Sequence, residues 1–100
     1  MRFKFKNKKL EELYTEEKNA HKYPHEVVDR FLKVIFIIDG MPDEQYLYKV
    51  KGLRFEKLKG ERGKKGQHSI RLNKQWRLIL TIEKDADGNF ILVIEIEDYH

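Results

Sequence analysis

Two stretches of this sequence carry side chains able to do chemistry. The last four residues, Glu97-Asp98-Tyr99-His100, put two carboxylates, a phenol and an imidazole in a row. Between Lys51 and Arg77 stand ten lysines and arginines against two glutamates, a net of +8. From Glu83 to Asp98 the balance reverses, with six acids against Lys84, a net of −5. Histidine carries protons near neutral pH, and guanidinium and ammonium groups hold phosphate oxygens. These types together suit phosphodiester cleavage without a metal. A 2′-hydroxyl attacks its own phosphate, one group takes its proton, cations meet the charge growing on phosphate, and an acid protonates the departing 5′-oxygen. A segment this basic also draws in a nucleic-acid backbone.

Other chemistries lack their parts. There is no cysteine, hence no disulfide framework and no thiolate metal site. Ser69 is the lone serine, which leaves little room for a serine nucleophile with its triad. The run Lys59–Gly66 is rich in glycine but lacks the spacing of a nucleotide-binding phosphate loop. His21 and His25 have a metal-like spacing, yet Pro24 stands between them and no third ligand accompanies them. No metal and no cofactor are expected. The longest apolar run, Val34 to Ile38, is too short to cross a membrane. The first residues do not read as a signal peptide, so no membrane association and a cytoplasmic location are expected. One hundred residues with 40% hydrophobic composition argue for a single domain, residues 1–100.

The elements that must position these groups follow from periodicity. Arg2 to Asn7 alternates and reads as a short strand. Asn7 suits the cap of a helix running through Leu10, Leu13 and Tyr14. A second helix starts at Pro24 and carries the stripe Val28, Phe31, Leu32, Ile35 and Ile38, stopping at Asp39-Gly40 before Pro42. Met41 to Val50 reads as a short helix or turn, and Lys51 to Gly66, with four glycines, as a mobile loop. The period then changes to two. Residues 67–72, 76–83 and 90–97 read as strands, the last two joined by a glycine-containing hairpin turn. Alternation puts Ile70, Leu72, Trp76, Leu78, Leu80, Ile82, Phe90, Leu92, Ile94 and Ile96 on the face that takes the helices. Ser69, Arg71, Arg77, Ile79, Thr81, Ile91, Val93 and Glu95 take the other. The expected fold is α+β, two layers, β-α-α-β-β-β, with helices packed on one face of a mainly antiparallel sheet. The basic loop enters the same array whose last strand delivers the tail, so loop, arginines and tail converge on one cleft. Against this, Arg71 and Arg77 could simply pair with Glu95 or Glu83 across strands.

The pattern of a Leu58-Lys59-Gly60 loop, a Ser69-Ile70-Arg71 strand, an Asn73-x-x-Trp76-Arg77 strand and a final Asp98-Tyr99-His100 resembles the HigB-type toxins of the RelE/ParE superfamily. The resemblance implies the RelE-like fold and the toxin of a type II toxin–antitoxin pair. It implies a ribosome-dependent mRNA endoribonuclease that leaves a 2′,3′-cyclic phosphate or 3′-phosphate. Its partners would be the ribosome and mRNA, and a HigA-like DNA-binding antitoxin that holds it inactive. The toxin alone would be a monomer, in hetero-oligomers with the antitoxin. Carried over by residue, His100 would transfer protons, Tyr99 stack on a base or orient the ribose, and Asp98 fix the histidine or a cation. Lys59 and Arg77 would contact the phosphate in its transition state, and Arg71 bind phosphate. The loop cations Lys57, Arg62, Lys64 and Lys65 would hold the RNA backbone. Two departures stand out. Relatives often carry histidine where this sequence has Glu56, which makes Glu56, or His68, the candidate substitute base. The basic loop is also about two residues longer. Relatives of the ParE type share the fold but poison DNA gyrase, and a catalytically weak member that only binds its antitoxin is the remaining alternative.

Overall fold

The computed structural model describes residues 1–99. Strand β1 (Phe3–Phe5) leads into α1 (Lys8–Glu16), a single 3-10 turn, and the long helix α2 (His25–Asp39). A short α3 (Tyr46–Lys49) and another 3-10 turn, Lys51–Leu53, precede β2 (Glu56–Lys57) and α4 (Gly60–Lys64). The chain closes with β3 (His68–Arg71), β4 (Trp76–Asp85) and β5 (Gly88–Asp98). The five strands lie in the order β1-β5-β4-β3-β2. Only β1 runs parallel to its neighbour, with Phe3 opposite Ile91 and Phe5 opposite Val93.

The helix signals act as their chemistry dictates. The Asn7 side chain accepts a hydrogen bond from the Leu10 N–H at 3.0 Å, satisfying one of the free donors at the start of α1. The same side chain donates to the Ile94 carbonyl at 3.3 Å, which ties the helix start to β5. Pro24 caps α2, and its carbonyl takes the Val27 N–H. α2 buries Val28, Phe31, Ile35 and Ile38 of the predicted stripe, with Leu32 only half-buried beside them, and Val27 and Val34 as well. These side chains meet Ile70, Leu72, Leu78, Leu80, Ile91 and Val93 from the sheet, with Leu10, Leu13, Leu47 and Leu53 closing the rim.

Two expectations are corrected. Lys51 to Gly66 is not a bare loop: it contains a 3-10 turn, β2 and α4, so the order β-α-α-β-β-β is short by these elements. The face assignment of β5 is also reversed over part of its length. Leu78 pairs with Ile96 and Ile79 with Glu95, but Leu80 pairs with Val93, so Ile94 is an extra residue at a β-bulge. One added residue flips the alternation. Ile91 and Val93 therefore enter the core, whereas Phe90 turns to the other face and takes Lys4 and Arg2 over its ring at 4.6 and 5.6 Å.

At the hairpin end, Arg2 grips Asp85 with two hydrogen bonds of 2.8 and 3.0 Å. The Arg2 guanidinium, helped by the Asp87 backbone N–H and by Lys4, holds the Asp85 carboxyl well below the usual carboxylate range. A carboxyl whose pKa is lower in the folded than in the unfolded chain stabilises the fold above its unfolded value and loses that effect as pH falls below about 4. Asp85→Asn is therefore expected to lower the melting temperature at neutral pH and to flatten its decline below about pH 4. Equal acid profiles for parent and variant would refute this role.

Candidate active site

The face of the sheet opposite α2 is built by register. Arg71 lies directly across from Arg77, and Arg77 across from Glu97. One step along, Ser69, Ile79 and Glu95 form the next row, with Glu56 of β2 at its end. Because Ile70, Leu78 and Leu80 enter the core, strand alternation puts both arginines on the far face, as the sequence predicts.

Like charges opposed across an antiparallel pair repel. Ordinarily a carboxylate would neutralise them, and Glu97 and Glu95 are at hand. Both are instead engaged by Arg62 of α4. The Arg62 guanidinium forks onto Glu97 with two contacts of 2.9 Å and reaches Glu95 at 3.4 Å. Its Nε donates to the Gln67 side-chain carbonyl at 3.0 Å. The hydrogen bond to Glu97 raises the Arg62 pKa above its ordinary value. The cross-strand pairing of Arg71 and Arg77 with Glu95 or Glu83 accordingly does not form. The Nε atoms of Arg71 and Arg77 are buried and have no hydrogen-bond partner among the described residues.

Tyr99 packs on Arg77 of this pair. Its N–H donates to the Gln75 carbonyl, which continues the β4–β5 ladder past the end of β5. Its ring lies over the Arg77 guanidinium, 5.3 Å from the ring centroid. Asp98 accepts from the Gln75 side chain at 2.9 Å. Beside Tyr99 opens a cleft of about 370 Å³ lined by Glu56, Lys57, Leu58, Lys59 and Arg62.

α4 forms the wall of that cleft because Gly63 lets it approach. A Cβ at Gly63 would fall 1.9 Å from the Leu58 carbonyl oxygen, so only glycine fits. Leu58 and Ile79 are buried here, outside the main core, as a small apolar floor. The Leu58 N–H donates to the Gln67 carbonyl at 3.0 Å, closing the loop at its base.

Of the residues singled out from the sequence, Glu56, Lys57, Lys59, Arg62 and Tyr99 share the cleft. Arg77 lies against the ring of Tyr99, and Arg71 is its cross-strand neighbour. Lys64 and Lys65 are exposed on α4 and its cap and do not line the cleft, and Lys64 lies 3.4 Å from Glu61. His68 stands apart from it: its ring stacks on Phe55 at 4.7 Å, and its Nδ1 is 2.9 Å from the Gly66 carbonyl. His100 lies outside the described residues. Sequence reasoning missed Gly63, Gln67 and Gln75. Only Gly63 had a signal, a glycine within a run of charged residues, where close backbone approach is one reading.

Comparison with known proteins agrees with this architecture. The profile of the HigB-like toxin family, described as the RelE-like toxin of the type II toxin–antitoxin system HigB, matches residues 3–100. Toxin HigB-1 of Vibrio cholerae serotype O1 is 38% identical over 79 residues, covering 79% of this chain and 81% of that protein. Among solved structures, the YoeB/ParE toxin from Agrobacterium tumefaciens superposes with a TM-score of 0.57 at 14% identity, covering all of both chains. A chain of the YoeB-YefM complex from Staphylococcus aureus gives 0.52 at 20% identity, covering 100% of this chain and 97% of that one. At these identities the two structures speak for the fold alone.

Proposed function

The chain belongs to the HigB-like, RelE-type toxins of type II toxin–antitoxin systems, and on that premise we propose that it is a metal-independent endoribonuclease that cuts mRNA on the ribosome. The observation that carries this reading is the opposed pair Arg71 and Arg77, whose buried Nε donors have no partner among the described residues while both nearby carboxylates are held by Arg62. Nε itself is sealed from solvent, so a phosphate would meet the outer guanidinium nitrogens, which no carboxylate among the described residues holds.

The proposed roles draw on the lining of the cleft and, for His100, on the resemblance of the terminal triplet. Arg77 and Lys59 meet the charge that grows on the phosphate as the 2′-oxygen attacks, and Arg71 anchors a non-bridging oxygen. Tyr99 packs the ribose or base against Arg77. Glu56 on the cleft wall accepts the 2′-hydroxyl proton, and His100 donates to the 5′-oxygen that leaves. Atoms balance: the 2′-oxygen–phosphorus bond forms, the phosphorus–5′-oxygen bond breaks, and a 2′,3′-cyclic phosphate remains upstream. Lys57, Lys64 and Lys65 give the approach to the cleft a positive field, so affinity falls steeply with salt. A HigA-like DNA-binding antitoxin is the partner that restrains the toxin.

Primer extension on a defined message, in a reconstituted translation system with and without ribosomes, tests the reading. The parent is compared with a variant lacking Tyr99 and His100. Cuts inside translated codons that need both ribosomes and the tail are expected. Cuts that survive loss of the tail would remove Tyr99 and His100 from the site. No cuts under either condition would end the nuclease reading, and inhibition of gyrase supercoiling with RNA intact would replace it.

A further inference from the structure

A second depression, of about 560 Å³, lies between α3 and β2 and is lined by Tyr48, Val50, Lys51, Arg54 and Phe55, among others. Among the described residues its lining holds no carboxylate. The segment from Tyr46 to Phe55 carries Lys49, Lys51 and Arg54 and no acid. Lys49 is engaged over the Tyr46 ring at 4.8 Å, whereas Lys51 and Arg54 are exposed at the groove.

An exposed tyrosine stands among these cations. Tyr48 is 63% exposed. The ring is nevertheless held in place. Phe55 meets it edge-on at 4.9 Å, and Phe55 is stacked on His68 at 4.7 Å with the two planes 1° apart. The imidazole is fixed in turn by the Gly66 carbonyl. A ring braced by such a ladder loses little freedom when something stacks on it. The cations are presented with similar care. Arg54 adopts a left-handed backbone (φ 52°), and Arg30 donates to the Gly52 carbonyl at 2.7 Å to pin the turn that carries Lys51.

An exposed π-face sharing a groove with two cations, with no acid among the described lining residues, matches the chemistry of one nucleotide: base on ring, phosphate on cations. The groove and the cleft meet at the edge formed by β2, where Phe55 lines one and Glu56 the other; consecutive residues of extended backbone face opposite sides of the sheet, so a strand reaching both would wrap around that edge. We infer that the Tyr48–Phe55 groove is a second RNA-binding site, which stacks a base of the single strand that passes through the cleft and holds its phosphate with Lys51 and Arg54. The inference rests on the cleft being an RNA site. It adds a contact beyond the scissile phosphate that would set how the strand is gripped.

Binding without cleavage tests it. A short single-stranded RNA with every 2′-hydroxyl methylated cannot be cut by 2′-oxygen attack, and its fluorescence anisotropy reports affinity for the full chain. Tyr48→Ala is expected to weaken binding at least about five-fold, the smallest loss typical of one stacked base, and Tyr48→Trp to restore it. The double variant Lys51→Ala/Arg54→Ala is expected to weaken binding and to make the salt slope shallower by about 1.4, the release expected for two single-strand phosphate contacts. Exposure of all three side chains predicts unchanged melting, which circular dichroism checks. Parent-like affinity in Tyr48→Ala and the double variant, or no RNA binding by the parent at low salt, would overturn the inference. So would a Tyr48→Ala variant that loses affinity for antitoxin alone. The two readings fail separately. A parent that binds through Tyr48 yet cuts no message loses the nuclease and keeps the groove. A parent that cuts while Tyr48→Ala binds and cuts equally keeps the nuclease and loses the groove.

Discussion

Arg77→Ala is expected to lower message cleavage by about 10²- to 10³-fold, the usual cost of removing one preorganised charge donor from a transition state. Stability should move the other way or not at all. Arg77 faces Arg71 across the β3–β4 ladder, and no carboxylate among the described residues pairs with its guanidinium. Removing one of two opposed cations relieves a repulsion worth about 0.2–1 kcal/mol. A variant that melts at or slightly above the parent temperature but scarcely cuts is the signature of a residue kept for function. Arg77→Lys separates charge from geometry. It retains the cation but loses the fork that binds two phosphate oxygens, so cleavage should fall to an intermediate level. If Arg77→Ala instead cut like the parent, or unfolded, the paired arginines would be structural and the assignment would be lost.

Gly63→Ala is expected to abolish most activity by a different route. Its added methyl would lie 1.9 Å from the Leu58 carbonyl oxygen and 3.0 Å from the carbonyl carbon, and both atoms are backbone. Neither can rotate away, so α4 must shift outward. Lys59, at its N-cap, would leave the cleft with it, and Arg62 would lose its fork on Glu97. Overpacking of this kind costs about 1–3 kcal/mol, which lowers the melting temperature of a domain this size by roughly 4–8 °C per kcal/mol. Gly40→Ala is the control. There the new methyl makes ordinary contacts at 3.7 and 3.8 Å and φ is −84°, so both activity and melting should stay near the parent values. A Gly63→Ala variant with unchanged melting and cleavage would show that α4 does not shape the site.

Much of the site was legible because β3 and β4 alternate cleanly. Ile70 against Arg71, and Leu78 against Arg77, fix which side chain goes to the core, and the arginine face follows. β5 offered no such phase. From Phe90 to Ile94 every residue is apolar, so either register buries a hydrophobic row, and the extra residue Ile94 left no mark in the pattern. Residues 60–64 failed for a related reason. Gly60, Arg62, Gly63 and Lys64 read locally as a solvated loop, and what anchors them is distant: Glu95 and Glu97 in β5. Local propensity cannot anticipate a helix whose main support comes from a strand about thirty residues later. The same distance explains why the engagement of Glu97 by Arg62 rather than by Arg77 was out of reach. Three guanidiniums compete for two carboxylates, and only packing of α4 decides among them.

The strand order carries a kinetic consequence. β5, made last of the described elements, is inserted between β1, made first, and β4. Phe3 cannot find Ile91 until all the residues between them exist, and joining segments so remote in sequence slows folding. A growing chain that lacks β5 has no partner for β1, no anchor for Arg62 and no Tyr99 over Arg77. The wall of the candidate cleft is therefore completed only when β5 docks between β1 and β4.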